Sequence, residues 1–559
     1  MRKKINILLL TDFPNKILQN CLKKIIFNYD IKIYTAEIDN VNLNINNVKN
    51  KLWDKTYDII IIWSDLTKIS NEFRKSIFLE KFTKNKILKD IDNFSHSIRK
   101  LSKRANHIIL INWVISSSFK GYGFFDLKNN FGLKNLLIQL NLKISKEISQ
   151  TNNIIQYHLD DLINKFRGNA FDEKSYYLTK VPFHNDLFKL FSEDINILIN
   201  QLYGNGIKLI ILDLDDTIWG GIVGDIGWKN IIIGGHNSVG ESLKDFQFFL
   251  KNLSKKGISL AIASKNNEDV ALKAINENPE MVLSIKDFST WRINWEKKSQ
   301  NILEILNELN LPATSSIFID DSKFEREEVK KTIKGIIVPD LPNDKRLYRE
   351  FISNLNLFHF NEITKEDEKR TVYYQNEKKR VELKSNYKNN DEWLKTLNIK
   401  ITIEEIQDSN IERTHQLFNK TNQMNLSTRR LSREKILELN SDKKYAFRVF
   451  SIIDSYGEYG LTGIISVFFE NNKATLKDFI LSCRVFGREI EDCMLNTVLL
   501  ICKKRKFSKI NATYIPTERN KICFDFVKNN FDLLKENSFE MKTRDASVKF
   551  KNFKITDKT

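Results

Sequence analysis

Two carboxylates stand two residues apart in the run ILDLDDT, Ile211–Thr217. The apolar residues Leu209 to Leu212 predict a strand that delivers Asp213 and Asp215 at its carboxyl end. Strand side chains alternate with a period of two, so both carboxylates point the same way. Like charges that close do not both stay ionised without a cation. A bound Mg²⁺ relieves the conflict and suits the pair to phosphoryl chemistry.

The spacing DxDxT is the signature of the haloacid-dehalogenase (HAD) superfamily, and three further motifs follow in that superfamily's order. A second predicted strand, Ile258–Ala263, leads into Ser264 within ASKNN, where motif II places a hydroxyl on a phosphoryl oxygen. Lys298, within INWEKKSQNI, opens a predicted helix and fits motif III. A third strand, Ser316–Ile319, ends in Asp320-Asp321, which fits the acidic motif IV. Three motifs at strand ends and one at a helix start describe a doubly wound parallel sheet with its site at the carboxyl edge. The intervals from Asp213 to Ser264 and from Ser264 to Lys298 leave no room for a large cap domain. A capless phosphatase more often takes a substrate tethered to a macromolecule, by analogy.

Outside this core, 559 residues are enough for three domains. The first, 1–203, shows strand-like runs at 5–10, 31–36, 57–63 and 107–113 alternating with helical stretches, which predicts an α/β layer domain. Its first strand ends in Thr11-Asp12-Phe13. An SGNH-like hydrolase would place its serine in that turn. None is there, and no downstream DxxH is evident, so this SGNH-like domain is read as non-catalytic. His184 is read as structural or exposed. The HAD-like domain spans 204–343 and a charged helical linker 344–397. The segment KEDEKRTVYYQNEKKRVELKSNYK (365–388) within that linker is expected to be a solvated helix.

From 398 to 559 the order is helix, three strands at about 446–453, 461–469 and 474–481, helix, strand, helix. This resembles the GNAT acyltransferase fold, which is α+β. GNAT domains cradle the phosphates of CoA or phosphopantetheine on the backbone amides of an [RQ]xxGx[GA] loop. The corresponding segment, LSCRVFGREIED (481–492), has Arg484, Gly487 and Arg488, but Glu489 where a small residue is expected. Cys483 sits beside Arg484 and Arg488 before a helix. Two readings stay open: a thiol activated as a nucleophile, or a small buried residue in a strand. In NQMNLSTRR (422–430), Arg429 and Arg430 either line an acyl or pantetheine channel or belong to a solvated turn. For Asn422 and Asn425 helix capping or a solvated turn is preferred.

Taken together, the chain resembles the FkbH-like family, which joins a HAD subfamily IIIC phosphatase to a GNAT-like domain, often behind an SGNH-like domain. The resemblance is carried by SYYLTKVPF (175–183), LDLDDTIWGGIVGDIG (212–227), ASKN (263–266), NWEKKSQNI (294–302), FIDDSKFEREEV (318–329), NQMNLSTRR (422–430), LSCRVFGR (481–488) and YIPTERN (514–520). The WGG after DxDxT is far more specific than DxDxT itself. Asp216 replaces the usual Asn, and Ser322-Lys323 the usual Asn-Pro.

The resemblance implies removal of the 3-phosphate of 1,3-bisphosphoglycerate and delivery of the glyceryl unit as a thioester to an acyl carrier protein. It implies Asp213 as nucleophile, Asp215 as acid and base, and Ser264 and Lys298 on the phosphoryl oxygens. Mg²⁺ would lie among Asp213, the Asp215 carbonyl, Asp320 and Asp321, with Asp321 aligned to the direct ligand. Thr217 and Asn266 count as substrate-binding, with Arg429, Arg430, Arg484, Gly487 and Arg488. The alternatives are a stand-alone phosphatase in glycan or secondary-metabolite biosynthesis, with a GNAT-like binding domain, and a carrier-docking scaffold.

Net charge is +18 and the isoelectric point about 9.3. Richness in Asn, Ile and Lys indicates an AT-rich coding bias, which weakens the charge as a functional signal. With no RNP motif, zinc-finger spacing or basic heptad region, nucleic acid is not the expected partner. Five scattered cysteines without CxxC predict reduced thiols and a cytoplasmic location. The apolar run of MRKKINILLLTDF is too short for a signal peptide. No run reaches the length of a membrane span.

Overall fold

The computed structural model describes residues 3–36, 40–47, 50–204, 206–355, 357–358, 370–384, 387, 389–470, 473–517, 519–543 and 553–559. The chain divides into two compact units, Met1–Asn196 with Arg430–Ser441, and Ile197–Arg429 with Asp442–Thr559.

In the first unit the strands β1 (Lys4–Thr11), β2 (Asp30–Thr35), β3 (Tyr57–Trp63), β4 (Ala105–Ile111) and β5 (Ile154–Tyr157) form a parallel sheet in the order β2-β1-β3-β4-β5. The continuous apolar runs of β1, β3 and β4 follow from burial of both sheet faces. The helices Lys84–Leu101 and Leu133–Ile148 supply Ile87, Ile91, Phe94, Leu136 and Leu140 to the core at helical spacing.

The second unit holds two sheets. β6 (Leu209–Leu212), β7 (Ser259–Ser264), β8 (Phe288–Ile293) and β9 (Ser316–Ile319) run parallel in the order β8-β7-β6-β9. β6 and β9 fall where the sequence pattern places them. β8 is an edge strand whose mixed sequence, FSTWRI, hides it from periodicity; its Thr290 and Trp291 bond to Glu308 and Glu268. Between β6 and β7 the chain forms the short helix Val223–Ile226 and the helix Ser238–Lys255, with no inserted domain.

The other sheet is mainly antiparallel. It contains β10 (Lys400–Glu404), β11 (Met424–Asn425), β12 (Tyr445–Asp454), β13 (Gly457–Glu470), β14 (Lys473–Leu481), β15 (Lys509–Thr513), β16 (Asp532–Lys535), β17 (Ser538–Lys542) and β18 (Lys554–Asp557), in the order β16-β17-β15-β14-β13-β12-β10-β18 with β11 on β14. The three expected strands at 446–481 are β12 to β14. The edge strands were not legible; β18 pairs with β10 from more than 150 residues away.

The segment expected to be a solvated helix departs from that reading. Its residues 365–369, 385–386 and 388 lie outside the described residues. The helix Arg370–Lys384 buries Tyr374 in the core behind β6 and β7 and buries Arg380. Gln375 Nε2 donates to the carbonyls of Lys286 (3.1 Å) and Phe288 (2.9 Å), at the amino end of β8. Arg380 forms a two-pronged ion pair, both contacts 2.7 Å, with buried Asp454 of β12. The mixed charges belong to a strut between two sheets, because Arg380 meets a buried carboxylate instead of water.

Candidate active site

The carboxyl edge of the four-stranded sheet gathers the acidic residues. Asp213 follows β6, and its N–H donates to the Ile319 carbonyl of β9 (3.0 Å), which draws the two strand ends together. One carboxylate oxygen each from Asp213, Asp320 and Asp321 lie within 4.8 Å of one another. Lys298, the first residue of the helix Lys298–Glu308, places Nζ 3.0 Å from Asp213 Oδ1 and 2.6 Å from Asp320 Oδ2. Burial opposes the charge on Lys298, but Asp213 and Asp320 outweigh it and hold its pKa above the usual lysine value. Burial, reinforced by Asp213, pushes Asp320 up to about 7 and raises Asp321.

Three carboxylates against one ammonium leave this cluster short of positive charge. All its donors are oxygens, the set that Mg²⁺ prefers. The residues therefore fit the metal that the motifs imply. Asp320 spends both oxygens, on Lys298 and on the N–H of Ser322 (2.8 Å). Among the described residues, the Asp321 carboxylate has only a 3.4 Å contact from Thr217 Oγ1, which in turn accepts from the Asp321 N–H at 3.2 Å. Asp321 is thus the freer ligand of the pair, and Thr217 positions it.

Asp215 is held differently. Its Oδ1 accepts from Trp219 Nε1 (2.8 Å) and the Val223 N–H (3.0 Å), and its Oδ2 from Asn266 Nδ2 (2.8 Å). Burial raises its pKa above the ordinary carboxylate range, against the bonds from Val223 and Trp219 and with the help of Asp213. Ser264, the last residue of β7, is fully buried, and its Oγ has no hydrogen-bond partner. A buried hydroxyl without a partner is costly, which suits an oxygen awaiting a ligand.

Sequence reasoning missed three supports. Trp219, fully buried, was noted as part of WGG but given no task. The two glycines let that turn close: at Gly221 (φ +91°) a Cβ would sit 2.5 Å from Ile226 Cδ1, and Gly220 exchanges backbone bonds with Ile232. Buried Arg326 donates through Nη1 to the carbonyls of Asp320 (2.8 Å) and Asp321 (2.6 Å), fixing the acidic turn. Lys345 pairs with Asp216, which adopts a left-handed conformation at φ +54°. Lys323, the departure that adds a charge after the acidic pair, is exposed.

Arg429 forms an ion pair with Asp478, fully buried in β14. Arg430 is buried and belongs to the first unit, where its charge acts on Lys3. Arg488 is buried against Glu377 of the strut and the Tyr459 ring. Arg429 and Arg488, both expected to bind substrate, are engaged in ion pairs. Gly487 (φ +71°) precedes the helix Ile490–Lys504 as expected, with the Glu491 carboxylate near by. Burial pushes Glu491 up to about 7, against the pull of its own N–H and that of Gly487. Cys483 opens a short turn after β14, half-buried and beside Arg484.

In the first unit, Asp12 occupies the turn where a nucleophile was sought. Its carboxylate accepts from the N–H groups of Val41 (2.9 Å) and Asp65 (2.8 Å), so it serves the turn's own backbone. His184 is exposed and accepts from the Asp186 N–H.

Among the described residues, no helix is long and apolar enough to cross a membrane. No family model and no curated protein matches the chain. Among solved structures, an acetyltransferase of the GNAT family from Staphylococcus aureus is 17% identical with a TM-score of 0.21, covering 26% of this chain and 99% of its own. The N-acetyltransferase PaiA from Thermoplasma acidophilum, in complex with coenzyme A, has the same identity and TM-score and covers 26% and 98%. Both likenesses are slight. The N-terminal part of BF1531 from Bacteroides fragilis, containing a phosphatase domain and complexed with Mg, is 30% identical with a TM-score of 0.59, covering 65% of this chain and 96% of that one. By that identity across nearly the whole of the B. fragilis structure, this chain belongs to the family of phosphatase-domain proteins that BF1531 represents.

Proposed function

We propose that this chain is a Mg²⁺-dependent, FkbH-like phosphatase coupled to acyl transfer. It removes phosphate from a phosphorylated C3 acid of the 1,3-bisphosphoglycerate type and passes the acyl group to the thiol of an acyl carrier protein. The observation that carries the phosphatase half is the convergence of Asp213, Lys298, Asp320 and Asp321, with Asp215 held apart on Trp219, Val223 and Asn266.

In this reading Asp213 attacks phosphorus, a carboxylate O–P bond forms, and the P–O bond to the C3 acid breaks. Asp215 gives its proton to the departing alkoxide, and its raised pKa keeps that proton available nearer neutral pH. A water that loses its proton to Asp215 then cleaves the aspartyl phosphate. Lys298 and Ser264 hold the phosphoryl oxygens. Asp213, Asp320, Asp321 and the Asp215 carbonyl would hold Mg²⁺, which supplies positive charge against carboxylate and phosphoryl oxygens.

For the transfer half, Cys483 is the accepting thiol. Resemblance and its accessible position beside Arg484 support this role. A second reading, a stand-alone phosphatase, draws support from Glu491, a carboxylate near the Gly487 N–H where CoA would place its phosphates. The test is the intact mass of this protein and of a phosphopantetheinylated carrier after incubation with Mg²⁺ and 1,3-bisphosphoglycerate. A glyceryl adduct on the carrier, lost in Asp213→Asn and in Cys483→Ala, is expected. Phosphate release with no adduct on either protein would put the stand-alone reading first.

A further inference from the structure

Two loops at the carboxyl edge of the first unit's sheet expose apolar side chains that the core does not use. One runs from β4 to the helix Leu133–Ile148. The other lies between the helices Asn71–Ile77 and Lys84–Leu101, which return the chain from β3 to β4. β3 and β4 are neighbours in the sheet. In residues 119–131 every large apolar side chain is exposed: Phe119, Tyr122, Phe124, Phe125, Leu127 and Phe131, with Phe124 fully so. The second loop adds exposed Phe78 and Leu79. Its Phe82 meets Phe131 edge to face, ring centroids 5.7 Å apart, and also packs on the core. The two loops therefore touch, and their shared surface is anchored to the sheet.

The longer loop is held from inside by one acid. Asp126 is 1% exposed; its Oδ1 accepts from the N–H groups of Tyr122 (2.9 Å) and Leu133 (3.0 Å), and its Oδ2 from that of Lys134. Asn135 Nδ2 donates to the Leu127 carbonyl (2.6 Å). A Cβ on Gly132 would lie 1.8 Å from the Asp126 carbonyl oxygen, so only glycine lets the chain close there. Polar groups turn inward and apolar ones outward, the reverse of an ordinary surface loop. Single apolar side chains on a surface need no explanation, but a continuous run of them does. Lys81, Lys120, Lys128 and Lys134 stand exposed around it, and among the described residues none of them meets a carboxylate at ion-pair distance. The acids of the two loops are Glu80, which is exposed, and Asp126, which is spent on backbone. Protein interfaces favour Arg and are poor in Lys. Here 78–83 and 112–134 hold no Arg, and Lys beside Phe and Leu is the composition of segments that lie among lipid headgroups.

We propose that these two loops are a membrane-attachment surface: the aromatic side chains seat among the headgroups and upper acyl chains of an anionic bilayer, and the lysines meet the lipid phosphates. Attachment of this kind needs no spanning helix. The negative surface draws the lysines, and removal from water holds the rings. Each lysine near such a surface is worth about fivefold in affinity, and each phenylalanine taken out of water about tenfold. The loops belong to the first unit, and the inference stands apart from the phosphatase and transfer readings.

The experiment floats the full-length protein with vesicles of phosphatidylcholine alone or of phosphatidylcholine mixed with phosphatidylglycerol. The wild type is expected to float with the anionic vesicles, and less so as salt is raised. Phe124→Ser/Phe125→Ser leaves the net charge unchanged and should weaken binding about a hundredfold, and Lys120→Gln/Lys128→Gln about twentyfold. All four side chains are exposed, so the circular dichroism and melting temperature of both variants should match the wild type. Failure of the wild type to float with anionic vesicles would overturn the proposal. So would flotation undiminished in the phenylalanine variant, which would mark a general attraction of a chain of charge +18 for anionic lipid. Sedimentation velocity, with the protein alone and with an acidic acyl carrier protein, separates the other occupants. A dimer or a carrier complex that the phenylalanine variant loses, in a wild type that ignores vesicles, would assign the surface to protein contact and not to lipid.

Discussion

Lys208 and Asp213 flank the same four-residue strand, β6, one at its amino end and the other at its carboxyl end. Five extended residue steps separate them by about 16 Å, with the packed sheet between. The cluster around Asp213 lies at the carboxyl edge, whereas Cys483 lies toward the amino edge, where the guanidinium of the adjacent Arg484 is 4.7 Å from the centroid of the Tyr373 ring on the strut. No C3 acid spans that distance, so on the proposed reading dephosphorylation and thiol acylation would be separate visits, joined by a long carrier arm or by release. With Mn²⁺ in place of Mg²⁺ and a nitroxide on Cys483, electron-spin distance measurement should give a separation beyond roughly 15 Å, and a value under about 10 Å would mean the two edges had been misassigned.

Asp215 gives a kinetic prediction. An alkyl phosphate needs its leaving oxygen protonated, whereas p-nitrophenolate leaves unaided. Asp215→Asn should lower steady-state release from the alkyl substrate by about 10²–10⁴-fold. With p-nitrophenyl phosphate the same variant should release one equivalent of p-nitrophenol in a burst and then stall, because the water that cleaves the phosphorylated Asp213 has lost its base. A linear time course without a burst would argue against the two-step role.

Trp219 contributes through Asp215. Its indole N–H favours the ionised carboxylate, so Trp219→Phe, which keeps most of the packing, should raise the Asp215 pKa further. The expected readout is an upward shift of the corresponding limb of the pH–rate profile and a fall in kcat of about tenfold, the size of one such hydrogen bond, with KM little changed. A drop in kcat with an unmoved profile would mark a purely structural tryptophan.

What was legible in the sequence was whatever depends on neighbours along the chain. β6 and β9 are fully buried strands whose apolar runs announce them, and the carboxylates that end them follow by register. Lys298 was legible because a helix start sits next to a recognisable motif. What was not legible depends on partners far away. Arg326 and Trp219 look like ordinary surface and core residues until the fold brings the Asp320 carbonyl and the Asp215 carboxylate to them. The strut 370–384 reads as solvated because its charges are mixed, yet Arg380 and Glu377 are matched by Asp454 and Arg488 from distant segments. Glu491, near Gly487, is likewise raised by burial that the sequence does not show.

Metal and pH should act together on stability. In the metal-free chain burial raises Asp215 and Asp321 and pushes Asp320 up to about 7, while unfolded aspartates titrate near about 3.9. Between roughly pH 4 and 7 the folded chain therefore binds more protons than the unfolded one, and its stability falls as pH rises through that window. Mg²⁺ requires the deprotonated carboxylates, so its effect runs the other way. The rise in melting temperature on adding Mg²⁺ should be larger at pH 8 than at pH 5.5. Saturation at about a hundred times Kd is worth about 2.7 kcal/mol, a shift of several degrees. Asp321→Asn should abolish most of that shift. An equal Mg²⁺ response at both pH values would contradict binding at these carboxylates.

The strut supplies the last prediction. Arg380 and Asp454 are 2% and 0% exposed, joined by two contacts of 2.7 Å, and the Tyr459 ring lies 4.6 Å from the guanidinium. Removing one partner leaves the other charge buried, so Arg380→Met should destabilise the second unit by about 3–5 kcal/mol in urea unfolding. Asp454 retains bonds from Tyr459 Oη (3.0 Å) and the Tyr456 N–H (2.8 Å), which places the loss toward the lower end. The double variant Arg380→Met/Asp454→Leu should recover much of it, since the lone carboxylate is gone. A loss under about 1 kcal/mol in the single variant, the range of an exposed pair, would show that solvent reaches Asp454. The strut would then be a peripheral helix and no longer the element that fixes the C-terminal sheet against the amino edge of the phosphatase sheet.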